Sequence, residues 1–392
     1  MSIRIGVDAT CSANLRGYGR FTRELLRAMV AGAPEDEFIC FVDDRAAPLM
    51  NVAAPNVRCV RVVLNASPTS AASANGFRSP ADLLRLTRAV WREPLDVFFS
   101  PSVYTFFPLP PGLPAVVTIH DAIAERFPEL TLPSRRARLF WKCKVAFALR
   151  QARLVLTVSA FSARDLRAVL RIPAERIRVA GEAPAEAYRP SESLLDIGKA
   201  AERAGLPAGA RWFIYVGGIN PHKRVEYLVR AHGILAADSA DPPYLLLVGP
   251  LAEDVFHADR RRVDDAIAEQ GSAGLVRWLG YVPDEDLRHL LSGARALVLP
   301  SACEGFGLPA VEAAACGTPV IATAESPLPE LLEGGGLFLE PCDVPRLVEA
   351  MQLLSDDLVR ARMGARACAR ASALSWDSSA TAAIAALREA AA

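Results

Sequence analysis

A two-beat rhythm constrains this chain more than any single motif: short, β-branched, almost wholly apolar runs alternate with segments of helical period. In the first half the runs are "IRIGVDA" (3–9), "EFICFVD" (37–43), "VRCVRVV" (57–63), "VFFSP" (97–101), "AVVTIH" (115–120) and "LVLTVS" (154–159). In the second they are "WFIYVGG" (212–218), "YLLLVGP" (244–250), "VRWLGYV" (276–282), "ALVLPS" (296–301) and "PVIAT" (319–323). Strand side chains point alternately to the two faces. A run that is apolar throughout therefore needs cover on both, which helices on either side of a parallel sheet supply. The expected class is α/β, with doubly wound parallel sheets.

A chain of 392 residues accommodates more than one such sheet. The rhythm breaks over 184–211, "PAEAYRPSESLLDIGKAAERAGLPAGAR", a proline-rich and polar stretch, so a domain boundary is expected near residue 190. The Ala-rich tail (380–392) reads as helix. Apolar residues make up 52% of the chain, which argues against disorder. Lys plus Arg and Asp plus Glu both number 44, so bulk charge gives no footprint for nucleic acid. The eight cysteines (Cys11, Cys40, Cys59, Cys143, Cys303, Cys316, Cys342 and Cys368) form no C-x-x-C pair and stand near no His at metal-ligand spacing. Reduced, mostly buried thiols are expected. "MSIRIGVDAT" reads as a strand from residue 3 with no signal-peptide core, and no apolar run reaches bilayer length, so a cytoplasmic location is expected.

Ligands of such sheets sit beyond the carboxyl ends of the strands. Two facing domains would form a cleft there, and the residues just after strands become the candidates. In "PSACEGFGLPAVEAAACGTPV" (300–320), Pro309 suits the first position of a helix and Gly317 the residue after its end, predicting a helix over 309–316. Its free N–H groups face "CEGFG", where Gly305 and Gly307 allow a ligand close to the backbone. Glu312, in the first turn, is explained equally by the helix dipole. Glu304, at the strand end, is not. Carboxylates accept well from vicinal hydroxyls, so the two acids would flank a nucleoside diphosphate sugar. In "YVGGINPHKRVEYLVRAHGIL", Asn220 and Pro221 predict a second helix start. Lys223 then sits in its first turn, where a cation opposes the dipole unless it meets an anion or is simply solvated. Arg224 is adjacent.

The first half offers weaker pieces. Gly17 and Gly19 precede a helix with apolar Phe21, Leu25 and Met29. The spacing matches part of a dinucleotide fingerprint, but Thr22 occupies the third glycine position, which counts against a nicotinamide enzyme; a tight turn explains the glycines as well. His120-Asp121 end a strand and serve a ligand or cap the following turn. Ser159 reads as a helix N-cap.

Together these stretches resemble the retaining glycosyltransferases of family 4 (glycosyltransferase group 1), with the GT-B fold of two Rossmann-like domains facing across a cleft. The likeness runs through "VDATCSANLRGYGRFTREL", "VVTIHDAIAERFPE", "LTVSAFSARDL", "YVGGINPHKR", "WLGYVPDEDL" and "LSWDSSA" (374–380), and is most specific in "SACEGFGLPAVEAAACGTPVIAT", which is similar to the family's E-x7-E signature. The resemblance implies an acceptor-binding domain over 1–190 and a nucleotide-sugar domain over 191–372. Residues 373–392 would form a helix crossing back to the first, with Trp376 packing beside the hinge. It implies that Glu304 binds donor sugar hydroxyls and Glu312 the ribose diol. Gly305, Phe306, Gly307 and Leu308 would line the sugar and phosphates, and Lys223 would neutralise the diphosphate. Gly17 and Gly19 would border phosphates and acceptor, His120 the transferred sugar, and Tyr281 and Val282 the base. Many relatives carry Arg five residues before the lysine. Here Gly218 stands in its place, so Lys223, helix N-termini and Arg224 must cover the diphosphate. "GGINPHKR" is closest in style to bacterial polysaccharide mannosyltransferases, which implies GDP-mannose as donor, then UDP-glucose and its relatives.

No D-x-D acid pair ends a strand, and no metal or cofactor is expected. The readings left beside transfer are an epimerase on the same fold, a phosphorylase (for which no pyridoxal-bearing lysine stands out) and a non-catalytic sugar-nucleotide-binding protein. Residues 130–164 hold no Asp or Glu. Their Arg135, Arg136, Arg138, Lys142, Lys144, Arg150, Arg153 and Arg164 are interleaved with Leu139, Phe140, Trp141, Val145, Phe147 and Leu149. Such a helix either packs on the first sheet or lies on an anionic membrane, where relatives often find lipid-linked acceptors.

Overall fold

The computed structural model describes residues 2–14, 17–50, 52–65, 78–132, 134–249 and 260–392. Leu15, Arg16, Pro133 and Pro250, which fall inside stretches read above, lie outside the described residues. The chain separates into two compact units. Unit 1 comprises Met1–Glu182 with Ser375–Ala392, and unit 2 comprises Ala183–Leu374.

Unit 1 is built on a seven-stranded parallel sheet of order β3-β2-β1-β4-β5-β6-β7. Its strands are β1 (Arg4–Asp8), β2 (Glu37–Val42), β3 (Val57–Arg61), β4 (Val97–Ser100), β5 (Ala115–Thr118), β6 (Leu154–Thr157) and β7 (Ile177–Val179). Helices α1 (Gly17–Gly32), α2 (Pro80–Trp91), α3 (Arg135–Gln151) and α4 (Ala160–Val169) cover it. Ser79, Ser134 and Ser159 cap α2, α3 and α4, each accepting from the amide three residues on. The strands of β1, β2, β4 and β5 are buried almost throughout, as their apolar runs require.

Unit 2 carries a six-stranded parallel sheet of order β10-β9-β8-β11-β12-β13. The strands are β8 (Trp212–Val216), β9 (Tyr244–Val248), β10 (Val276–Gly280), β11 (Leu297–Leu299), β12 (Val320–Thr323) and β13 (Gly336–Leu339). Its longer helices are α5 (Leu194–Arg203), α6 (Val225–Ala237), α7 (Arg260–Glu269), α8 (Asp284–Gly293), α9 (Leu308–Ala315), α10 (Val344–Leu353) and α11 (Asp357–Ala371). The last helix, α12 (Trp376–Ala391), belongs to unit 1. It lies against α1 and the sheet, burying Ala380, Ala383, Ile384, Leu387 and Ala390.

Every run read as a strand contains one, and each strand is one to three residues shorter than its run. β7 and β13 were not anticipated. Both are edge strands, three and four residues long, in stretches ("IRV", "GLFL") too brief to show a period. The Ala-rich tail helix starts earlier than residue 380, at Trp376. Half of the thiol expectation is corrected: Cys11, Cys40, Cys303 and Cys316 are buried, whereas Cys59, Cys143 and Cys342 are exposed. All are free. Desolvation drives the buried Cys316 up to about 12.

Candidate active site

In unit 2 the candidates gather at the carboxyl ends of β8 and β11, which are neighbours in the sheet. After β8 the chain passes Gly217 and Gly218, then winds one 3-10 turn, Pro221–Lys223. Arg224 follows in the left-handed region, at φ 54°, and only then does α6 begin. Lys223 therefore precedes the helix instead of occupying its first turn, a correction to the sequence expectation. The proline starts a tight turn that a left-handed residue ends.

After β11 comes "PSACEGFG". The Ala302 amide donates to the His222 carbonyl at 2.8 Å, and the Glu304 amide donates to the Glu325 carbonyl at 3.0 Å. The loop is thus pinned on one side to the Lys223 turn and on the other to the segment after β12. Gly307, at φ 86°, is the N-cap of α9. An L side chain is strained at that angle, so glycine is needed to turn the loop into the helix. α9 starts at Leu308, with Pro309 second, so Glu312 lies in the second turn, not the first. It is buried, as are Gly305, Phe306 and Leu308.

Lys223 and Glu304 meet directly. The Lys223 ammonium donates to Glu304 Oε1 at 2.8 Å and to Oε2 at 2.9 Å, and the Ser301 hydroxyl donates to Oε1 at 2.6 Å. Glu304 is 6% exposed and Lys223 is half-buried. A buried carboxylate needs such donors, because burying a charge unpaired costs several kcal/mol. An ammonium has three N–H groups, two of which go to Glu304. Burial, with Lys223 and Arg224 alongside, pushes the His222 imidazole down to about 3, so it stays neutral and adds no charge. The Arg224 guanidinium lies 5.7 Å from the Tyr227 ring centre.

Gly218 accepts from the Tyr215 hydroxyl through its carbonyl. Tyr281, exposed, and Val282, half-buried, follow β10. β10 is three strands from β11, roughly 14 Å along the same sheet edge. The structure thus brings Lys223 together with Glu304 and sets Tyr281 and Val282 apart from them.

Family models for "Glycosyltransferase Family 4" and "Glycosyl transferases group 1" match residues 15–181 and 196–370. The O-antigen chain mannosyltransferase B of Escherichia coli is 34% identical over 305 residues, 76% of each chain. The chain belongs to the group 1, family 4 glycosyltransferases. The D-inositol 3-phosphate glycosyltransferase of Streptomyces scabiei (strain 87.22) is 34% identical to this glycosyltransferase over 205 residues, 50% of this chain and 44% of that one. Among solved structures, sucrose-phosphate synthase from Thermosynechococcus elongatus aligns over 99% of both chains with a TM-score of 0.74 at 22% identity. WaaG, a glycosyltransferase involved in lipopolysaccharide biosynthesis, aligns over 98% of this chain and 99% of its own with a TM-score of 0.70 at 16% identity. The fold of this glycosyltransferase is GT-B, two Rossmann-like domains.

Unit 1 of the glycosyltransferase holds Gly17, Gly19 and His120. Gly17 opens α1. A Cβ on Gly19 would fall 1.9 Å from the Asn14 carbonyl oxygen, so only glycine fits there. Arg23 braces the same bend by donating to the Ser12 and Asn14 carbonyls. The His120 ring packs edge-on against Phe21 at 4.8 Å, and its Nε2 donates to the Pro101 carbonyl at 3.1 Å. A carbonyl only accepts, so Nε2 carries the proton and Nδ1 faces Glu182 Oε1 at 3.8 Å. Asp121 caps the next turn by accepting from the Ile123 amide.

The sequence reading of the glycosyltransferase overlooked Ser301, the carbonyls of His222 and Glu325, Arg23 and Glu182. Only Ser301 left a signal: S-x-x-E is the capping-box spacing, used here with no helix between. In the basic segment the helix packs on the first sheet, one of the two alternatives open from sequence. Trp141 and Val145 face inward with Ala137 and Ala148, packing α3 on the sheet, so they are not part of an exposed face.

Proposed function

We propose that this glycosyltransferase moves a hexose, with retention at the anomeric carbon, from a nucleotide diphosphate sugar to a saccharide or lipid-linked acceptor in the synthesis of a surface polysaccharide or glycolipid. The observation that carries this is the Lys223–Glu304 contact, which sets a cation for phosphate beside a carboxylate for sugar hydroxyls. GDP-mannose is the favoured donor, in keeping with the mannosyltransferase relative.

In this reading the donor extends along the carboxyl edge of the unit 2 sheet. The base rests near Tyr281 and Val282, and Glu312 takes the ribose diol. The diphosphate lies by Lys223, with Arg224 and the Gly218 bend beside it. Gly305 to Leu308 line the sugar, and Glu304 holds its hydroxyls. Gly17, Gly19 and His120 serve the acceptor and the transferred sugar. The bond from C1 to phosphate oxygen breaks while an acceptor oxygen bonds C1 on the same face, and the acceptor proton passes to the departing phosphate. Charge building on that phosphate is what Lys223 stabilises. No metal or cofactor takes part. The acceptor is met at the cytoplasmic face of the membrane.

Calorimetry tests the donor site. Lys223→Ala should weaken GDP binding by about tenfold or more while leaving guanosine unchanged. Equal losses for both ligands would remove Lys223 from the phosphates. Transfer from GDP-mannose compared with UDP-glucose decides the sugar.

A further inference from the structure

We infer that the outer layer of unit 1, formed by α2, α3 and α4, docks on an anionic lipid bilayer. This deepens the reading of a membrane-side acceptor, and rests on it for its purpose but not for its test. The three helices cover one face of the sheet. Leu86 and Val90 of α2 pack in one core cluster with Ala115, and Val145 of α3 and Leu166 of α4 pack in another with Val117. Ala115 and Val117 are two apart in β5 and so point to the same side.

What these helices turn outward is unusual. Leu84 and Trp91 of α2 and Leu139, Phe140 and Phe147 of α3 are each 51–70% exposed. Large apolar side chains do not normally collect on a solvated surface. Between them stand exposed cations: Arg85, Arg88 and Arg92 around α2, and Arg135, Arg136, Lys142 and Arg150 on and around α3. The Arg136 guanidinium sits 5.3 Å from the Phe140 ring centre. Beside α4, Arg164, Arg167 and Arg171 line an open groove of about 530 Å³. Acids are fewer and mostly paired. α3 has none, Asp82 of α2 is buried and paired with Arg85, Asp165 of α4 is paired with Arg126, and of the flanking acids Glu93 is paired with Arg58 while Glu175 is exposed.

The chain's formal net charge is zero, so this layer represents charge drawn to one side. Cations among exposed aromatics complement an anionic headgroup layer with an apolar interior beneath it. Two copies laid face to face would oppose like charges, which disfavours self-association. Among the described residues no helix is long and apolar enough to cross a membrane, so the contact is peripheral.

The test is co-sedimentation of the full chain with vesicles of phosphatidylcholine alone and of phosphatidylcholine with phosphatidylglycerol. Binding should require the anionic lipid. The triple variant Arg88→Ala/Arg136→Ala/Lys142→Ala should lower the partition coefficient by about a hundredfold. Trp91→Ser/Phe140→Ser/Phe147→Ser should leave only weak binding that moderate salt abolishes. All six sites are exposed, and sugar transfer to a soluble acceptor should be unchanged, which separates failure here from failure of the transferase reading. Equal partition into both vesicle types, or undiminished binding by both variants, would overturn the inference. So would concentration-dependent dimerisation that the variants abolish.

Discussion

The carbonyl of His222 and the amide of Ala302 are joined at 2.8 Å, which fixes the turn bearing Lys223 against the loop bearing Glu304. The contact between those two side chains is therefore held by backbone on both sides, and does not depend on two flexible chains finding each other. Sites preorganised in this way keep their geometry when one side chain is changed, so single substitutions report on chemistry more than on collapse.

Glu304→Gln keeps the shape and one hydrogen-bond acceptor but removes the charge. Transfer should fall by about a hundredfold or more. GDP affinity should hold or rise, because Lys223 is no longer neutralised by a carboxylate. Steady-state kinetics with calorimetry checks both; wild-type turnover would dismiss the assignment.

Ser301→Ala removes one of the donors to Glu304 Oε1. One hydrogen bond contributes about 1 kcal/mol, so a drop of about fivefold in kcat is expected, with GDP binding unchanged. A loss confined to KM would place the hydroxyl on the substrate instead.

Gly307→Ala forces a side chain into the left-handed region, and its Cβ would approach a Leu328 methyl to 2.8 Å. Denaturant unfolding should show a loss of about 1–3 kcal/mol. An unchanged midpoint would mean that the turn relaxes freely.

Glu125 supplies a pH test in unit 1. Burial, partly offset by the 2.7 Å hydrogen bond from the Trp141 indole, raises its carboxyl from 4.5 to about 7. A raised acid binds its proton in the folded state after the unfolded chain has released it. Its stabilising contribution is complete below about pH 4.5 and is lost as pH rises through about 7, a change of up to about 3 kcal/mol. Glu125→Gln should flatten that slope relative to wild type in melts across this range.

The α/β class and the strands with long apolar runs were legible, because burial on both faces writes itself into composition. β7 and β13 were not, since an edge strand of a few residues has neither period nor length. At the site, Glu304, Lys223 and the Gly-Phe-Gly turn were marked by their positions after strands. What sequence could not give was handedness: the left-handed Arg224 moves Lys223 out of the helix, and the left-handed Gly307 starts α9 one residue early, so that Glu312 is its fifth residue and not its fourth. Nor could it tell which side of α3 turns inward. Trp141 and Phe140 are adjacent in sequence, yet one is core and the other surface.

The residues of α12 complete unit 1, although all of unit 2 lies between them and the rest of it. During synthesis the first-made domain must wait for roughly 10–40 s of further elongation before its sheet is fully sheathed. Over that interval the groove meant for α12 is bare hydrocarbon on a nascent polypeptide, open to chaperones and to misassembly. A stop codon or frameshift near residue 374 would therefore damage the domain made first, leaving the second, freshly finished one sound.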